Sequence, residues 1–590
     1  MEKAEIHAKA REYLSLEKDD TFRKQIEELV KTENWKELED RFYTELEFGT
    51  GGLRGVIGGG YNRINPYVVQ RATEGLATYV EKNATAEEPA AVIAYDSRRY
   101  SSEFAHHAAL VFAAHGVKTY LFSSLRPTPE LSFAVRKLGA TVGIVVTASH
   151  NPPEYNGYKV YWDDGAQIVA PHDAGIIEEV RSVKRAPHVM PQKTAEKKNL
   201  LVYVDDEIDD AFIAAAKGVA IRPELMIEHG TELNLVYTPL HGTGAMLIER
   251  TLGELGIDVV TVPEQREPDG EFPTVASPNP EDGNALEMAI ELAKKNGADL
   301  VIGTDPDADR IGVAVPDGDE FVLVTGNQLG ALLVDYVFSS LSELNRLPKK
   351  PAFVKTIVTT ELQTRIARRY GATCFDTLTG FKHIAALIRK FESQKNGPTY
   401  VIGGEESYGY LIGTDVRDKD AVSAAVMTCE MALYHRRAGK SVLGRLNEIY
   451  LEYGYFEENT ISRYFTGKSG LDVMTGLMDG LRAGPPFEIA GLRVETVRDF
   501  LTGETTDRTT SATRADIDLP RSNVLQFVFE DGSILSARPS GTEPKIKFYV
   551  SCCEAPGIAL ETARSRVREK IETISGYVNG TIDEAEKGTQ

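Results

Sequence analysis

Apolar positions recur at helical spacing among many charged residues through 3–40, a pattern that predicts amphipathic helices capping the first domain. A Gly-rich stretch follows, then a helix opened by Pro66 and running to about Asn83. Proline suits a first helical position, where its missing N–H would have no partner. Apolar runs at 90–95, 118–123 and 141–147 read as strands, with a helix over 102–115. The pattern restarts with a strand at 234–237, the loop Thr238-Pro239-Leu240-His241-Gly242-Thr243-Gly244, a helix from about Ala245, and a strand at 300–303 that ends in an acidic loop. A third unit, about 321–450, has strands near 353–358 and 400–403. Strands alternating with helices predict α/β layers with mostly parallel strands.

The remaining residues break this rhythm. Runs at 524–530 and 533–537 flank Asp531-Gly532, the signature of a β-hairpin, and a strand at 546–551 and an amphipathic helix at 558–575 complete an α+β unit. A chain of 590 residues exceeds one hydrophobic core. The expected fold is therefore α/β, with three similar α/β domains of mostly parallel, mixed sheets and a smaller C-terminal α+β domain. The boundaries are placed at 1–207, 208–320, 321–450 and 451–590.

Composition narrows the partners. Lys+Arg of 66 against Asp+Glu of 88 gives a net charge of -22, which disfavours nucleic acid and acidic membrane surfaces. A phosphorylated small molecule would need a local cation cluster, separated from the rest by a Debye length of about 8 Å. No apolar run approaches the roughly 20 residues of a membrane span. The charged start at Met1 shows no secretory signal, and Cys374, Cys429, Cys552 and Cys553 show no zinc-ligand spacing. A cytoplasmic protein is expected. Nothing in the sequence distinguishes a monomer from a dimer.

Four loops carry candidate chemistry, each at a strand end, where ligands of α/β sheets bind. Thr147-Ala148-Ser149-His150-Asn151-Pro152 exposes a serine beside a histidine, and Asn156-Gly157-Tyr158-Lys159 brings an amine near the same turn. The plain alternative is a turn in which Ser149 caps local backbone. Asp305-Pro306-Asp307-Ala308-Asp309-Arg310 sets three carboxylates at alternate positions, which either converge around a cation or form a solvated acidic turn. Hard oxygen donors suit Mg²⁺ or Ca²⁺, and Arg310 and Pro316 stand where an EF-hand needs Gly and Glu. Gly404-Glu405-Glu406-Ser407 offers hydrogen-bonding groups for sugar hydroxyls, or is simply a solvated acidic turn, as are the polar loops Arg417-Asp418-Lys419-Asp420 and Thr379-Gly380-Phe381-Lys382-His383 nearby. Arg538-Pro539-Ser540-Gly541-Thr542-Glu543-Pro544-Lys545-Ile546-Lys547 joins a guanidinium, hydroxyls and an approachable Gly backbone, the equipment for a phosphate monoester, the alternative being a plain basic turn in an acidic protein. The Gly-rich Phe48-Gly49-Thr50-Gly51-Gly52-Leu53-Arg54-Gly55 matches neither a dinucleotide fingerprint nor a P-loop.

Taken in order, Gly-Leu-Arg-Gly, Thr-Ala-Ser-His-Asn-Pro, the triple-Asp loop, Gly-Glu-Glu-Ser and Arg-Pro-Ser-Gly-Thr resemble the α-D-phosphohexomutase superfamily across nearly the whole chain, in the branch holding bacterial phosphoglucomutases and phosphopentomutases. The resemblance implies four domains around a central cleft. It implies that Ser149 is the phosphoserine and that Ser149, Asp305, Asp307 and Asp309 hold Mg²⁺. Arg54, His150, Lys159, Arg310 and Lys419 then match positions near the transferred phosphate. His150 and Lys159 are both candidates for proton transfer, because the residues after Pro152 depart from the Asn-Pro-Gly-Gly form of the animal enzymes. Glu405 and Ser407 look like readers of sugar hydroxyls, and Thr379 and Gly380 lie in the sugar-specificity loop. Arg538, Ser540, Gly541, Thr542 and Lys547 resemble the grip on the non-reacting phosphate.

The activity so implied is interconversion of glucose 1-phosphate and glucose 6-phosphate, with glucose 1,6-bisphosphate as primer and intermediate. Glucose is preferred because Glu405-Glu406-Ser407 resembles the glucose-type form rather than the Glu-Met-Ser type. The alternatives are a pentose or mannose phosphate substrate, a phosphatase using the same serine, or a phosphosugar sensor.

Overall fold

The structure, a computed structural model, describes residues 1–49, 51–465, 467–540 and 545–588. The chain folds as two compact units, Met1–Leu329 with Phe381–Ala438, and Gly330–Gly380 with Gly439–Gln590. Among the described residues no helix is long and apolar enough to cross a membrane.

In the first unit, helices Lys3–Leu16, Asp20–Lys31 and Trp35–Phe42 bury Ile6, Tyr13, Phe22, Ile26, Leu38 and Phe42 in the same core as the first sheet, as the amphipathic pattern predicts. That sheet has the order Gly52–Val56, Tyr155–Trp162, Val142–Val146, Ala90–Tyr95, Lys118–Phe122, Leu201–Val204. The last four strands are parallel. Ala91 and Ile93 pack into one cluster and Val92 and Ala94 into another, so both faces are covered. This is why the strand reads as a continuous apolar run rather than an alternating one.

The second sheet runs Glu320–Val324, Ile311–Asp317, Leu300–Thr304, Leu235–Thr238, Val259–Thr261. Its last three strands are parallel, and Ile311–Asp317 turns back antiparallel on Leu300–Thr304. The first unit also holds the antiparallel pair Thr399–Glu405 and Gly409–Ile412, packed with helices Phe381–Ser393 and Ala421–Arg437.

The second unit contains the parallel pair Pro351–Thr356 and Thr373–Thr377. It also has an antiparallel sheet ordered Tyr455–Tyr464, Lys545–Glu554, Ile534–Pro539, Leu525–Phe529, Leu492–Asp499, Glu504–Asp507, Thr513–Arg514. Helix Leu560–Gly588 packs on its first two strands.

Two elements extend beyond the sequence reading. Tyr155–Trp162 is an eight-residue strand where only a turn bearing Lys159 was expected, because Gly157 and Lys159 interrupt its apolar run. The last helix continues past 575 because the stripe Val567, Ile571, Ile574, Val578, Ile582 stays buried across Gly576 and Gly580.

Candidate active site

The fully buried strand Val142–Val146 delivers the chain into Thr147, Ala148 and Ser149. Ser149 is left-handed at φ 52°, a conformation a non-glycine residue holds only when its surroundings over-determine it. Here they do. Thr147 Oγ1 accepts the Ser149 N–H at 2.8 Å and donates to Asp96 Oδ2 at 2.6 Å. The Arg98 guanidinium donates to the carbonyls of Ser149 and Asn151, to that of Pro152 at 2.8 Å and to that of Tyr155 at 3.2 Å. Arg98 also pairs with Asp96 at 3.4 Å and lies over the Phe272 ring at 4.9 Å. Asp96 and Arg98 were not singled out in the sequence; the available signal was an acid and a base directly beyond the buried strand Ala90–Tyr95. Gly157 lets strand Tyr155–Trp162 close on this loop, since a Cβ there would lie 2.4 Å from the Thr147 carbonyl oxygen.

The acidic loop is the tight turn between antiparallel strands Leu300–Thr304 and Ile311–Asp317. Ala308 is left-handed at φ 45°, and Asp305 Oδ1 accepts the N–H groups of Asp309 at 3.1 Å and Arg310 at 3.0 Å. Thr243 anchors the turn, its N–H at 2.8 Å and its hydroxyl at 2.9 Å donating to the Pro306 carbonyl. The three carboxylates are buried, with ligand atoms within 4.8 Å of one another. Lys159 Nζ sits 2.7 Å from Asp307 Oδ2 and 3.4 Å from Asp309 Oδ2, and Lys419 Nζ 3.1 Å from Asp309 Oδ2.

Each shift has a visible cause. Burial, then the charges of Asp307 and Asp309, push the Asp305 carboxyl well above its ordinary range. Burial opposes ionisation of Asp307 too, but the adjacent Lys159 outweighs it and holds that carboxyl far below. Burial would lower Lys159, yet Asp307 and Asp309 outweigh it and keep the ammonium charged. Among the described residues, Asp307 Oδ1 and Asp309 Oδ1 are buried with no hydrogen-bond partner. Two such oxygens beside Asp305, all hard donors, fit a divalent cation.

The serine and the triad meet. Ser149 Oγ donates to Asp305 Oδ2 at 2.6 Å and lies 3.1 Å from His150 Nδ1. Burial, then Arg310 and Arg54, depress the His150 imidazole well below its usual value, so it is neutral. Arg310 pairs with Glu281. Arg54 lies on strand Gly52–Val56, opposite Gly157. Glu405 and Ser407 flank the turn into Gly409–Ile412, and the Tyr408 carbonyl of that turn accepts the Ile311 N–H at 3.1 Å, binding it to the exit of the acidic loop. Lys419 is steered by Asp418 at 3.0 Å, which accepts the Tyr161 hydroxyl at 2.7 Å. Glu405 adds to the charge that, with Asp309 and Asp418, overcomes burial and raises Lys419.

The other expected residues lie in the second unit. Arg538 and Lys547 are direct partners on adjacent antiparallel strands, and the Ser540 N–H donates to the Lys545 carbonyl at 2.7 Å. Thr379 and Gly380, the latter at φ 109°, follow strand Thr373–Thr377. Gly541 and Thr542 lie outside the described residues.

Successive α/β layers, with a strand-end serine hydrogen-bonded to a buried aspartate triad, define this chain as a phosphosugar mutase. It belongs to the phosphoglucomutase/phosphomannomutase family: α/β/α domain I matches residues 45–186, domain II 210–318, domain III 325–453 and the C-terminal domain 493–564. It is similar to the phosphoglucomutase of Staphylococcus epidermidis, 37% identical over 530 residues, covering 89% of this chain and 94% of that one. The phosphoglucomutase of Staphylococcus aureus is 38% identical over 524 residues, covering 88% and 92%. Solved structures share the fold: a putative phosphomannomutase from Thermus thermophilus (TM-score 0.65, 22% identity, 90% of this chain, 99% of that one) and the parafusin phosphoglucomutase of Paramecium (0.68, 17%, 92% and 95%).

Proposed function

We propose that the protein interconverts glucose 1-phosphate and glucose 6-phosphate through phosphorylated Ser149. The observation that carries this reading is the 2.6 Å bond between Ser149 Oγ and Asp305, which puts a hydroxyl against the triad. The relatives named phosphoglucomutase support glucose as the sugar.

In this reading the free 6-hydroxyl of glucose 1-phosphate attacks the phosphorus on Ser149. The P–O bond to Ser149 Oγ breaks, and glucose 1,6-bisphosphate forms. After the intermediate turns around, Ser149 Oγ attacks its 1-phosphate and releases glucose 6-phosphate. Mg²⁺ held by Asp305, Asp307 and Asp309 would supply charge neutralisation at the phosphoryl oxygens. Lys159, Lys419, Arg310 and Arg54 add fixed positive charge around the same group. His150, at 3.1 Å from Ser149 Oγ, has a free acceptor nitrogen but is a weak base because burial, Arg310 and Arg54 disfavour its protonated form, while Lys159, kept charged by Asp307 and Asp309, can act only as a proton donor. Glu405 and Ser407 read sugar hydroxyls, Thr379 and Gly380 shape the sugar loop, and Arg538, Ser540 and Lys547 grip the non-reacting phosphate. The four segments 1–207, 208–320, 321–450 and 451–590 are read as the working domains of a cytoplasmic enzyme.

The test is an assay of purified protein with Mg²⁺ on glucose, mannose and ribose 1-phosphates, with and without the matching bisphosphate. Glucose 1-phosphate should be preferred and primed by glucose 1,6-bisphosphate. Ser149→Ala should lose at least about 10³-fold in rate while still binding phosphosugar. Release of free phosphate without isomerisation, or turnover in Ser149→Ala near that of the wild type, would overturn the reading.

A further inference from the structure

The segment Arg126-Pro127-Thr128-Pro129-Glu130 was not singled out in the sequence, yet it touches the centre of the site. Helix Thr128–Lys137 begins here, and its N-cap, Pro127, makes no side-chain cap. Asp307 serves instead. Its carbonyl accepts the Thr128 N–H at 3.0 Å, and its carboxylate Oδ2 accepts the Thr128 hydroxyl at 2.7 Å, across 179 residues. Prolines on both sides of Thr128 carry no N–H and fix φ, so the Thr128 N–H is the one backbone donor among these three residues. The segment is itself tied down. The Arg126 N–H donates to the Tyr95 carbonyl at 3.0 Å, and its guanidinium grips Asp209 through two bonds, of 2.7 and 2.8 Å.

The two oxygens of Asp307 are therefore unequal. Oδ2 accepts both the Thr128 hydroxyl and, at 2.7 Å, the Lys159 ammonium, whereas among the described residues buried Oδ1 has no partner. A carboxylate held by one oxygen cannot rotate to exchange the two without losing both bonds.

We infer that Thr128 is a positioning residue for the cation site, its hydroxyl joining Lys159 on one oxygen of Asp307 so that the other is left to ligate the ion. This rests on the reading of the triad as a divalent-cation site. Outer partners of metal-binding carboxylates set affinity by about 10–100-fold, and Thr128 reaches Asp307 from a rigid helix end rather than from a mobile loop.

The experiment is calorimetric titration of the full-length protein with Mg²⁺, for wild type, Thr128→Val and Thr128→Ser, alongside thermal unfolding. Val keeps the shape of Thr and removes the hydroxyl. Thr128→Val should weaken Mg²⁺ binding about 10–100-fold, with kcat recovering substantially at saturating Mg²⁺, and Thr128→Ser should restore the affinity. Wild-type affinity in Thr128→Val overturns the inference. So does a Thr128→Ser protein that folds as stably as wild type but binds Mg²⁺ as poorly as the Val variant. If the wild type itself takes up no Mg²⁺, the cation reading fails first, and that result is distinguishable because it does not depend on residue 128.

Discussion

Lys159 Nζ lies 2.7 Å from Asp307 Oδ2, so an amine from the strand beside the serine loop neutralises a carboxylate 148 residues later in the chain. The pair binds the first sheet to the acidic loop. It also eases the mutual repulsion of three buried carboxylates, of which Asp305 is further stabilised by the backbone N–H groups of Asp309 and Arg310.

Lys159→Met should therefore destabilise the metal-free protein by about 3–5 kcal/mol, the usual consequence of leaving a buried charge without its partner. Mg²⁺ should raise the melting temperature of this variant more than that of the wild type, because the ion would replace the lost positive charge. Thermal unfolding with and without Mg²⁺ checks this; equal shifts in the two proteins would contradict it.

Arg98 acts on Ser149 through the backbone. Arg98→Lys keeps the charge opposite Asp96 but cannot span four carbonyls with one ammonium. The loop should lose its fixed left-handed serine, and kcat should fall about 10²-fold with KM nearly unchanged. Steady-state kinetics decide it, and a rise in KM alone, with kcat unchanged, would argue against a positioning role.

Asp420 caps helix Ala421–Arg437 through the Val422 N–H at 2.9 Å, and burial pushes its carboxyl up to about 6. A group raised in the folded state contributes stability that is complete below its ordinary value and lost as pH rises through about 6. Asp420→Asn keeps the acceptor without the charge. It should be more stable than wild type at pH 7.5 by about 1–3 kcal/mol, and the advantage should vanish below pH 4. Denaturant titrations at the two pH values test the sign.

Arg538 and Lys547 face one another across a strand pair. Removing the guanidinium in Arg538→Ala should raise KM for every phosphosugar about 10–100-fold, the worth of a charged hydrogen-bonded contact, with kcat largely kept. Selectivity for glucose alone in the effect would point to a sugar contact instead.

The continuous apolar runs at 90–95, 142–146 and 300–304 were legible because parallel strands covered on both faces cannot hide their burial. The serine and the triad could be picked out because each is confined to a short contiguous segment, and the structure brings the two together. Strand Tyr155–Trp162 was not, since its glycine and lysine serve the neighbouring loop rather than the core. The roles of Asp96, Arg98 and Thr128 were not legible for a related reason: each acts by a hydrogen bond to a partner far along the chain or to backbone carbonyls, and a strand-end acid and base do not by themselves name that partner.

Sequence alone determined the alternation of strands and helices and which short segments carry candidate chemistry, because burial period and functional-group chemistry are properties of short stretches. Only the tertiary structure decided which oxygen of Asp307 is occupied, which residue holds Ser149 left-handed, and why His150 is neutral while Lys159 is charged. Those outcomes depend on distances and burial between segments up to 179 residues apart, and no local spacing encodes them.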